Sequence, residues 1–385
     1  MMIKKVLAAL MAAALVLAFQ PAPAHADDWY SEGGGYYTVQ TQDGQVLFSY
    51  AGQISVDDEY ISGENKRYRV TQVDDANRIA TATYVEDVVL WAGYDPSMVQ
   101  TVAAQGQKKV AMYCTHTDES YDKGDGASAK PEDGGVLDVA KTLSDKLKSK
   151  GIDAVVDTTP HDPHDAGAYR RSRSSAMNLM ESVQPDLLLD IHRDGVPNPK
   201  EYDKDVNGQA ASKVRFVVGR SNQNKAANED TAKKLKQVAD TAYPGLIKDI
   251  FIGKGSYNQD LTPNSLIMEF GTNTVDKNRV LQSTNYIADT VSKYLGATGG
   301  GAQQGAQPGQ GQQPQQQSAQ QQQQPSQNRT AAKSIGWVVG IVAAVALVFL
   351  FVAVSRGNRK DRAGDFVREI TGIGNKDEDG DKDRK

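Results

Sequence analysis

Cysteine, histidine and surplus positive charge are scarce in this sequence. Its 385 residues include one cysteine, Cys114, so no disulfide can form within the chain. A stable fold must therefore depend on a hydrophobic core or a bound metal. The formal net charge of −5 offers no excess of lysine and arginine for nucleic-acid backbones, and we expect no nucleic-acid partner. With five histidines in the chain, their positions become informative.

The first residues have the pattern of a secretory signal peptide. Two lysines precede an apolar run over residues 6–19, which is shorter than the ~20 residues of a membrane-spanning helix. The small residues Ala24 and Ala26 follow at the spacing of a cleavage site. The sequence therefore predicts export, with a signal peptide over residues 1–26.

A second apolar segment lies near the other end of the chain. Residues 335–354 contain no charged side chain and have the length of a transmembrane helix. The basic residues that follow are Arg356, Arg359, Lys360 and Arg362. Under the positive-inside rule they keep the charged tail, residues 355–385, in the cytoplasm. We expect a single-pass protein of the cell membrane whose folded part is extracellular.

The composition changes twice between these two segments. Residues 27–107 contain Val/Tyr/Thr-rich runs separated by turn sequences, which predicts a small β domain and a connector. Residues 108–297 alternate between strand-like and helix-like patterns. Residues 298–334 are rich in Gln, Gly and Pro, have little to bury, and are predicted to be a flexible linker.

The region 108–297 predicts an α/β domain with a mostly parallel sheet flanked by helices. Leu187–Ile191 is a nearly continuous apolar run, as expected for a strand in the middle of a covered sheet. Apolar residues spaced by three and four between residues 136 and 147 predict a helix that ends near Gly151. Further strands are predicted at 110–115, 154–157, 214–218 and 266–270, and further helices at 168–183, 226–242 and 280–295.

Polar residues with metal-binding chemistry stand at the ends of three predicted strands. His116 follows the first strand, His192 follows the apolar run, and Glu269 lies in the last strand. Ligands bind beyond the carboxyl ends of strands in sheets of this kind. Neutral imidazole and carboxylate are the ligands that zinc prefers, with a fourth position left open for water. The residues alone thus predict a zinc site with a nearby carboxylate for proton transfer.

Six short motifs resemble, in order, those of the sporulation stage II protein P family. They cover about residues 109–295 and read His116-Thr117-Asp118-Glu119-Ser120-Tyr121, Asp190-Ile191-His192-Arg193-Asp194, Phe216-Val217-Val218-Gly219, Tyr243-Pro244-Gly245-Leu246, Tyr257-Asn258-Gln259 and Glu269-Phe270-Gly271. The resemblance implies a peptidoglycan hydrolase with zinc-dependent N-acetylmuramoyl-L-alanine amidase activity, and endopeptidase activity is also attributed to the family. It further implies a role in spore engulfment or septal wall remodelling, with the intermembrane space of the forespore as an alternative location and a stage II protein D-like lytic transglycosylase as partner. The family's usual anchor is N-terminal, whereas the anchor predicted here is C-terminal.

The resemblance also implies residue roles. His116 and His192 would bind zinc, and Glu269 would be the catalytic carboxylate. Glu119 matches the family's motif after the first histidine and is preferred as the third ligand. Glu132, just before a predicted helix, is the alternative because it resembles the metal-binding glutamate of related amidases.

Two alternatives remain at this point, a zinc carboxypeptidase acting on the stem peptide and a wall-binding scaffold without catalysis. His161 and His164 lie in a loop rich in Pro and Asp, so a substrate or surface role is favoured over metal binding. The arginines Arg170, Arg171, Arg173 and Arg193 are candidates for stem-peptide carboxylates, although arginines on a helix are more often solvated. Asp190 is a candidate for orienting a metal ligand.

Overall fold

The computed structural model describes residues 35–98 and 107–299, with side chains up to residue 296. The predicted signal peptide, the membrane segment 335–354, the charged tail and nearly all of the linker lie outside these residues. Among the described helices, none is both long and apolar enough to cross a membrane.

Within the described residues, eleven strands form one mixed sheet and two more form a separate hairpin. The strands are β1 (Tyr37–Gln40), β2 (Val46–Tyr50), β3 (Glu59–Ile61), β4 (Lys66–Asp74), β5 (Ile79–Asp87), β6 (Lys109–Tyr113), β7 (Asp153–Val156), β8 (Leu187–Asp194), β9 (Asp203–Val206), β10 (Gln209–Ser212), β11 (Val214–Gly219), β12 (Ile247–Gly253) and β13 (Ser265–Thr272). The order across the sheet is β2-β1-β5-β4-β3-β12-β11-β13-β8-β6-β7, and β9 pairs with β10.

Four main helices lie among the described residues; the first three connect strands and the fourth follows the last strand. They are α1 (Gly135–Ser149), α2 (Ala168–Ser182), α3 (Lys225–Ala242) and α4 (Lys277–Gly299). Short helical turns occur at Pro96–Met98, Asp122–Asp125 and Pro199–Glu201. The predicted α/β class is confirmed, and the predicted helices agree with the observed ones to within a few residues.

The part of the sheet from β12 to β7 is parallel except for one pair. β11 and β13 are antiparallel, whereas β12–β11, β13–β8, β8–β6 and β6–β7 are parallel. Parallel neighbouring strands need crossover connections. Helix α1 connects β6 to β7, and α2 connects β7 to β8. The carboxyl ends of β6 and β8 therefore meet at one edge, where the predicted site lies.

The N-terminal strands continue this same sheet. β3 pairs antiparallel with β12, and β4 and β5 follow it. β1 and β2 lie beyond β5 in the order of the sheet, and the rings of Phe48 and Tyr50 in β2 lie 6.1 and 4.4 Å from that of Phe251 in β12. The prediction of a small separate β domain is not confirmed, since the apolar residues of β2 find their partners on the neighbouring sheet.

The two faces of the central strands are packed differently. Leu266, Met268 and Phe270 of β13 belong to a core shared with α1, α3 and α4. Ile267 of the same strand faces a second core that contains residues of β1 and β2. Because side chains alternate along a strand, Glu269 points to this second face, beneath the N-terminal strands.

Candidate active site

A cavity of about 490 Å³ opens on the second face of the sheet. It lies where the carboxyl end of β8, the loop after β6 and the end of β2 meet. The residues that line it include His116, Glu119, His164, His192 and Glu269, together with residues 50–52 of the N-terminal region.

Four polar residues form a row across adjacent strands at the floor of this region. In strand register, Asp249 of β12 pairs with Arg215 of β11, Arg215 with Glu269 of β13, and Glu269 with His192 of β8. Directly paired residues place their side chains on the same face of a sheet. The row therefore runs from the interior to the cavity, and its last two members line the cavity.

A cluster of histidine and carboxylate donors lies above the end of this row. Atoms of His116, Glu119 and His164 that could bind a metal lie within 4.8 Å of one another. The rings of His116 and His164 are 3.7 Å apart between centroids, and Oε1 of Glu119 lies 3.4 Å from Nδ1 of His116. Imidazole and carboxylate are a suitable donor set for zinc, so these residues fit a metal ion of that kind.

His192 lies at the other side of Glu119. Its Nδ1 is 3.6 Å from Oε2 of Glu119, and its Nε2 is 3.0 Å from Oδ1 of Asp190. Asp190 in turn accepts hydrogen bonds from the backbone N–H and the hydroxyl of Thr115. This arrangement fixes the loop that carries His116 relative to the strand that carries His192.

The charges in the cluster act strongly on one another. Burial disfavours a charged His192, but the carboxylates of Asp190 and Glu119 outweigh it and raise the pKa of His192 well above its usual value. Burial and the neighbouring His164 lower the pKa of His116. Burial opposes ionisation of Glu119, yet His192 and His116 hold its pKa well below the usual range. Within the cluster, positive charge is therefore favoured at His192 and disfavoured at His116.

Glu269 has a different environment from Glu119. Burial, and then the negative charge of Asp194, raise the pKa of Glu269 to about 8. Its Oε2 lies 3.5 Å from the hydroxyl of Tyr202 and 3.8 Å from Nη1 of Arg215. Glu269 can therefore hold a proton near neutral pH, whereas Glu119 remains ionised.

The predicted site residues separate into two groups. His116, Glu119, His192 and Glu269 all line the cavity, and their roles stay predictions. Glu132, the alternative ligand, has an exposed side chain and is not among the residues that line the cavity.

The two histidines of the Pro/Asp-rich loop also differ from each other. His161 is buried, with Nδ1 2.8 Å from the carbonyl oxygen of Cys114 and Nε2 3.0 Å from Oγ of Ser175. His164 instead lies in the donor cluster, with Nδ1 2.9 Å from Oδ1 of Asp118. The sequence favoured a surface or substrate role for His164 because its neighbours are typical of loops, and such a pattern does not show where a loop folds.

Three of the candidate arginines are held by the protein itself. Arg193 donates to the carbonyl oxygens of Ser120 and Ser128. Arg173 forms a two-point ion pair with Asp260, and Arg171 contacts Asp165 and nearby carbonyls. These guanidinium groups brace loops around the site, which is a structural use of arginines that sequence position alone does not predict.

Fold and site together define an α/β protein with a buried histidine–carboxylate centre at the edge of its sheet. The model of the family described as Stage II sporulation protein P (SpoIIP) matches residues 43–292, well over half of the chain. The chain therefore belongs to the stage II sporulation protein P family, which confirms the resemblance seen in its six motifs.

One curated relative and several solved structures can be compared with this chain individually. The Stage II sporulation protein P of Bacillus subtilis (strain 168) is 31% identical over 208 residues, which are 49% of this chain and 51% of that protein. The chain thus spans about half the length of this curated relative. Solved structures with some likeness include the N-acetylmuramoyl-L-alanine amidase AmiC2 of Nostoc punctiforme, at 17% identity and a TM-score of 0.32, covering 50% of this chain and 96% of that one. Another is the CwlD amidase from Clostridioides difficile in complex with the GerS lipoprotein, at 12% identity and a TM-score of 0.34, covering 50% and 97%.

Proposed function

We propose that this protein is a zinc-dependent peptidoglycan hydrolase that cleaves the amide between N-acetylmuramic acid and the L-alanine of the stem peptide. One observation supports this above the others. A buried histidine–glutamate cluster and a carboxyl group of raised pKa, Glu269, line the same cavity in a member of the stage II sporulation protein P family. Cleavage of peptide cross-links is a second activity that the same chemistry allows.

Zinc would be held by His116, Glu119 and His192. His164 is the competing third donor, because it completes the tightest group of donor atoms. We favour His192 because Asp190 lies 3.0 Å from its Nε2, and a carboxylate at the second ring nitrogen commonly orients a metal-bound histidine. Zinc, when bound, acts as a Lewis acid and makes a water molecule acidic enough to attack at neutral pH.

Glu269 would move the protons of the reaction. Its carboxylate accepts a proton from the attacking water as the water oxygen adds to the amide carbon. It then donates that proton to the amide nitrogen as the C–N bond breaks, which leaves a lactyl carboxylate and a free L-alanine amine. A group that first accepts and then donates works best with a pKa near the working pH, and burial provides this for Glu269.

A carboxypeptidase would need a cation in the cavity for the terminal carboxylate of its substrate. Arg193, which lines the cavity, uses its guanidinium group on backbone carbonyls. This engagement favours the amidase over the carboxypeptidase.

Digestion of purified peptidoglycan by the purified chain tests the proposal. Mass spectrometry of the products should show free L-alanine amines and unsubstituted muramic acid, and both should vanish with Glu269→Gln. Products shortened from the carboxyl end of the stem peptide would identify a carboxypeptidase instead. An absence of new ends, with zinc bound, would favour the wall-binding scaffold.

We further propose that the domain acts outside the cell membrane, tethered by residues 335–354, during spore engulfment. A stage II protein D-like lytic transglycosylase is the proposed partner, because one enzyme would cut stem peptides from glycan and the other would cut the glycan itself. Protease added to cells stripped of their wall should release a fragment that ends in the linker 298–334. Protection of the domain in intact protoplasts would reject this orientation.

A further inference from the structure

Arg215 is a fully buried cation that the proposed chemistry does not use. Its side chain has 0% exposure and lies at the centre of the polar row, between Asp249 and Glu269. Nε and Nη2 bind the two oxygens of Asp249 at 2.7 and 3.0 Å, and Nη1 binds Oδ2 of Asp194 at 2.8 Å. Burying one cation among three acids is costly unless each contact is made, so the geometry of this group is tightly specified.

The same guanidinium group also contacts the N-terminal strands. Nη2 donates to the carbonyl oxygen of Ser49 at 3.3 Å, and the guanidinium carbon lies 5.1 and 5.2 Å from the ring centres of Phe48 and Tyr50. Cation–π contacts of this kind are strengthened where water is excluded. The end of β2 is thus attached to the residue that lies opposite Glu269 in the sheet.

Asp194 forms a second link between the same two regions. Its Oδ1 accepts the backbone N–H of Ala51 at 3.3 Å, while its Oδ2 accepts Arg215 and the hydroxyl of Tyr202. The backbone at Gly195 also lies very close to the end of β2, since a Cβ added to Gly195 would be 2.9 Å from the Cβ of Ala51.

Residues 50–52, which these contacts hold, form one side of the cavity. They line it together with Glu269 and His192. A displaced β2 would therefore change both the shape of the cavity and the surroundings of Glu269.

We propose that Arg215 is a positioning residue that holds Glu269 and the end of β2 in fixed relation, so that residues 50–52 form a wall that contacts the muramyl-peptide substrate. This inference rests on the proposed function. The N-terminal region then completes the active site, and substrate geometry depends on a buried charge network rather than on the catalytic residues alone.

Arg215→Lys tests this proposal, with Arg67→Lys as a matched control. Arg67 is also a nearly buried arginine that ties an N-terminal strand to the α/β part, through Glu229 of α3, but none of its acidic partners lines the cavity. Lysine keeps the charge in both variants and loses the planar fork. Rates should be measured on soluble glycan strands that carry stem peptides, with hydrogen exchange of residues 48–52 in the same proteins.

For Arg215→Lys we expect kcat to fall by roughly 10–100-fold, because misplacement of reacting groups by about 1 Å costs that much. We also expect a raised KM and faster exchange at residues 48–52. Arg67→Lys should leave kcat and KM within about threefold and the exchange of residues 48–52 unchanged. Equal losses in both variants would mean that the two arginines are merely structural, and would overturn the proposal, as would an unchanged Arg215→Lys protein.

Asp249→Asn is a second variant in case Arg215→Lys does not fold. Asp249 lies outside the cavity, and the substitution loosens Arg215 without changing any residue in contact with substrate. It should lower kcat in the same direction by a smaller factor, and an unchanged kcat and exchange would refute the coupling. If the wild-type chain releases no amide ends, the proposed function fails by itself, and the exchange of residues 48–52 in the three variants still decides whether Arg215 holds β2.

Discussion

Alternate residues of β13 serve two different purposes. Leu266, Met268 and Phe270 point to the helix-covered face and are completely buried among apolar side chains. Glu269, between the last two, points to the other face and joins Asp194, Arg215 and His192. The apolar face contributes burial energy that does not depend on the arrangement of any one group. The charged face stabilises the fold only if all partners are present, and its arrangement is the one that the proposed proton transfer and metal binding require.

The largest expected effect comes from removing a histidine on the charged face. We expect His116→Ala and His192→Ala each to lose zinc. Amide cleavage should then be slower by at least about 10³-fold, because zinc supplies the Lewis acid of the proposed reaction. Zinc content by mass spectrometry and end-group release measure both. His161→Gln is the matched control, since His161 is buried and hydrogen-bonded outside the donor cluster, and it should keep its zinc.

His164→Ala tests whether His192 or His164 binds zinc beside His116 and Glu119. We expect zinc affinity to fall by at most about 10–100-fold, the usual cost of losing a supporting contact, and by less than in His192→Ala. Competition with a chelator of known zinc affinity measures the dissociation constants of both variants. The reverse order would assign His164 as the ligand and His192 as the support.

Replacing each of the two candidate glutamates should have very different effects on zinc content. Glu119 is buried between His116 and His192, whereas Glu132 is exposed. We expect Glu119→Ala to lose zinc and Glu132→Ala to keep it, as measured by zinc content after gel filtration. Loss of zinc in Glu132→Ala alone would reverse the assignment.

Glu269→Gln separates catalysis from metal binding. Removing a positioned acid–base group typically costs about 10²–10⁴-fold in rate, and we expect a loss in this range with zinc and folding retained. Activity within a few-fold of wild type in a zinc-replete protein would place proton transfer on another residue.

Met268→Ala tests the apolar face at the neighbouring position. Truncating a fully buried methionine should lower the free energy of unfolding by about 2–5 kcal/mol through lost burial and a new cavity. Urea unfolding measures this, and kcat of the folded fraction should stay within about threefold. A larger loss of kcat would show that the two faces are coupled through the strand.

Per pH unit, the smallest change in stability is the one expected from Glu269 on the charged face. In the folded, metal-free protein the pKa of Glu269 is about 8, whereas its ordinary value is 4.5. Between these two pH values the folded state holds a proton on Glu269 that the unfolded chain has released. Stability should therefore fall as pH rises from about 5 to 8, by at most about 1.4 kcal/mol per pH unit from this group. Glu269→Gln should remove that part of the slope. The measurement is the free energy of unfolding by urea at several pH values, in the presence of a chelator. If this free energy depends on pH in the same way in the wild-type and Glu269→Gln proteins, the prediction is wrong.

Much of the fold follows from local pattern. The apolar run of β8 and the three- and four-residue spacing of α1 are properties of single segments, and both elements were predicted close to their observed positions. β12 was not predicted. Its Lys248-Asp249 pair interrupts the apolar run, and Asp249 is accommodated only because Arg215 lies beside it on β11.

The site shows the same division. The sequence by itself determined the family, the donor chemistry and the placement of His116, His192 and Glu269 near the carboxyl ends of three strands, because apolar runs and motifs are local features. The strands that carry His192 and Glu269 extend two and three residues beyond these positions, to Asp194 and Thr272, rather than ending at them. The tertiary structure alone placed His164 in the cluster, left Glu132 exposed and joined the N-terminal strands to the sheet above Glu269. Those outcomes depend on which distant segments meet, and the meeting is decided by charge pairing and packing across the sheet rather than by any one segment.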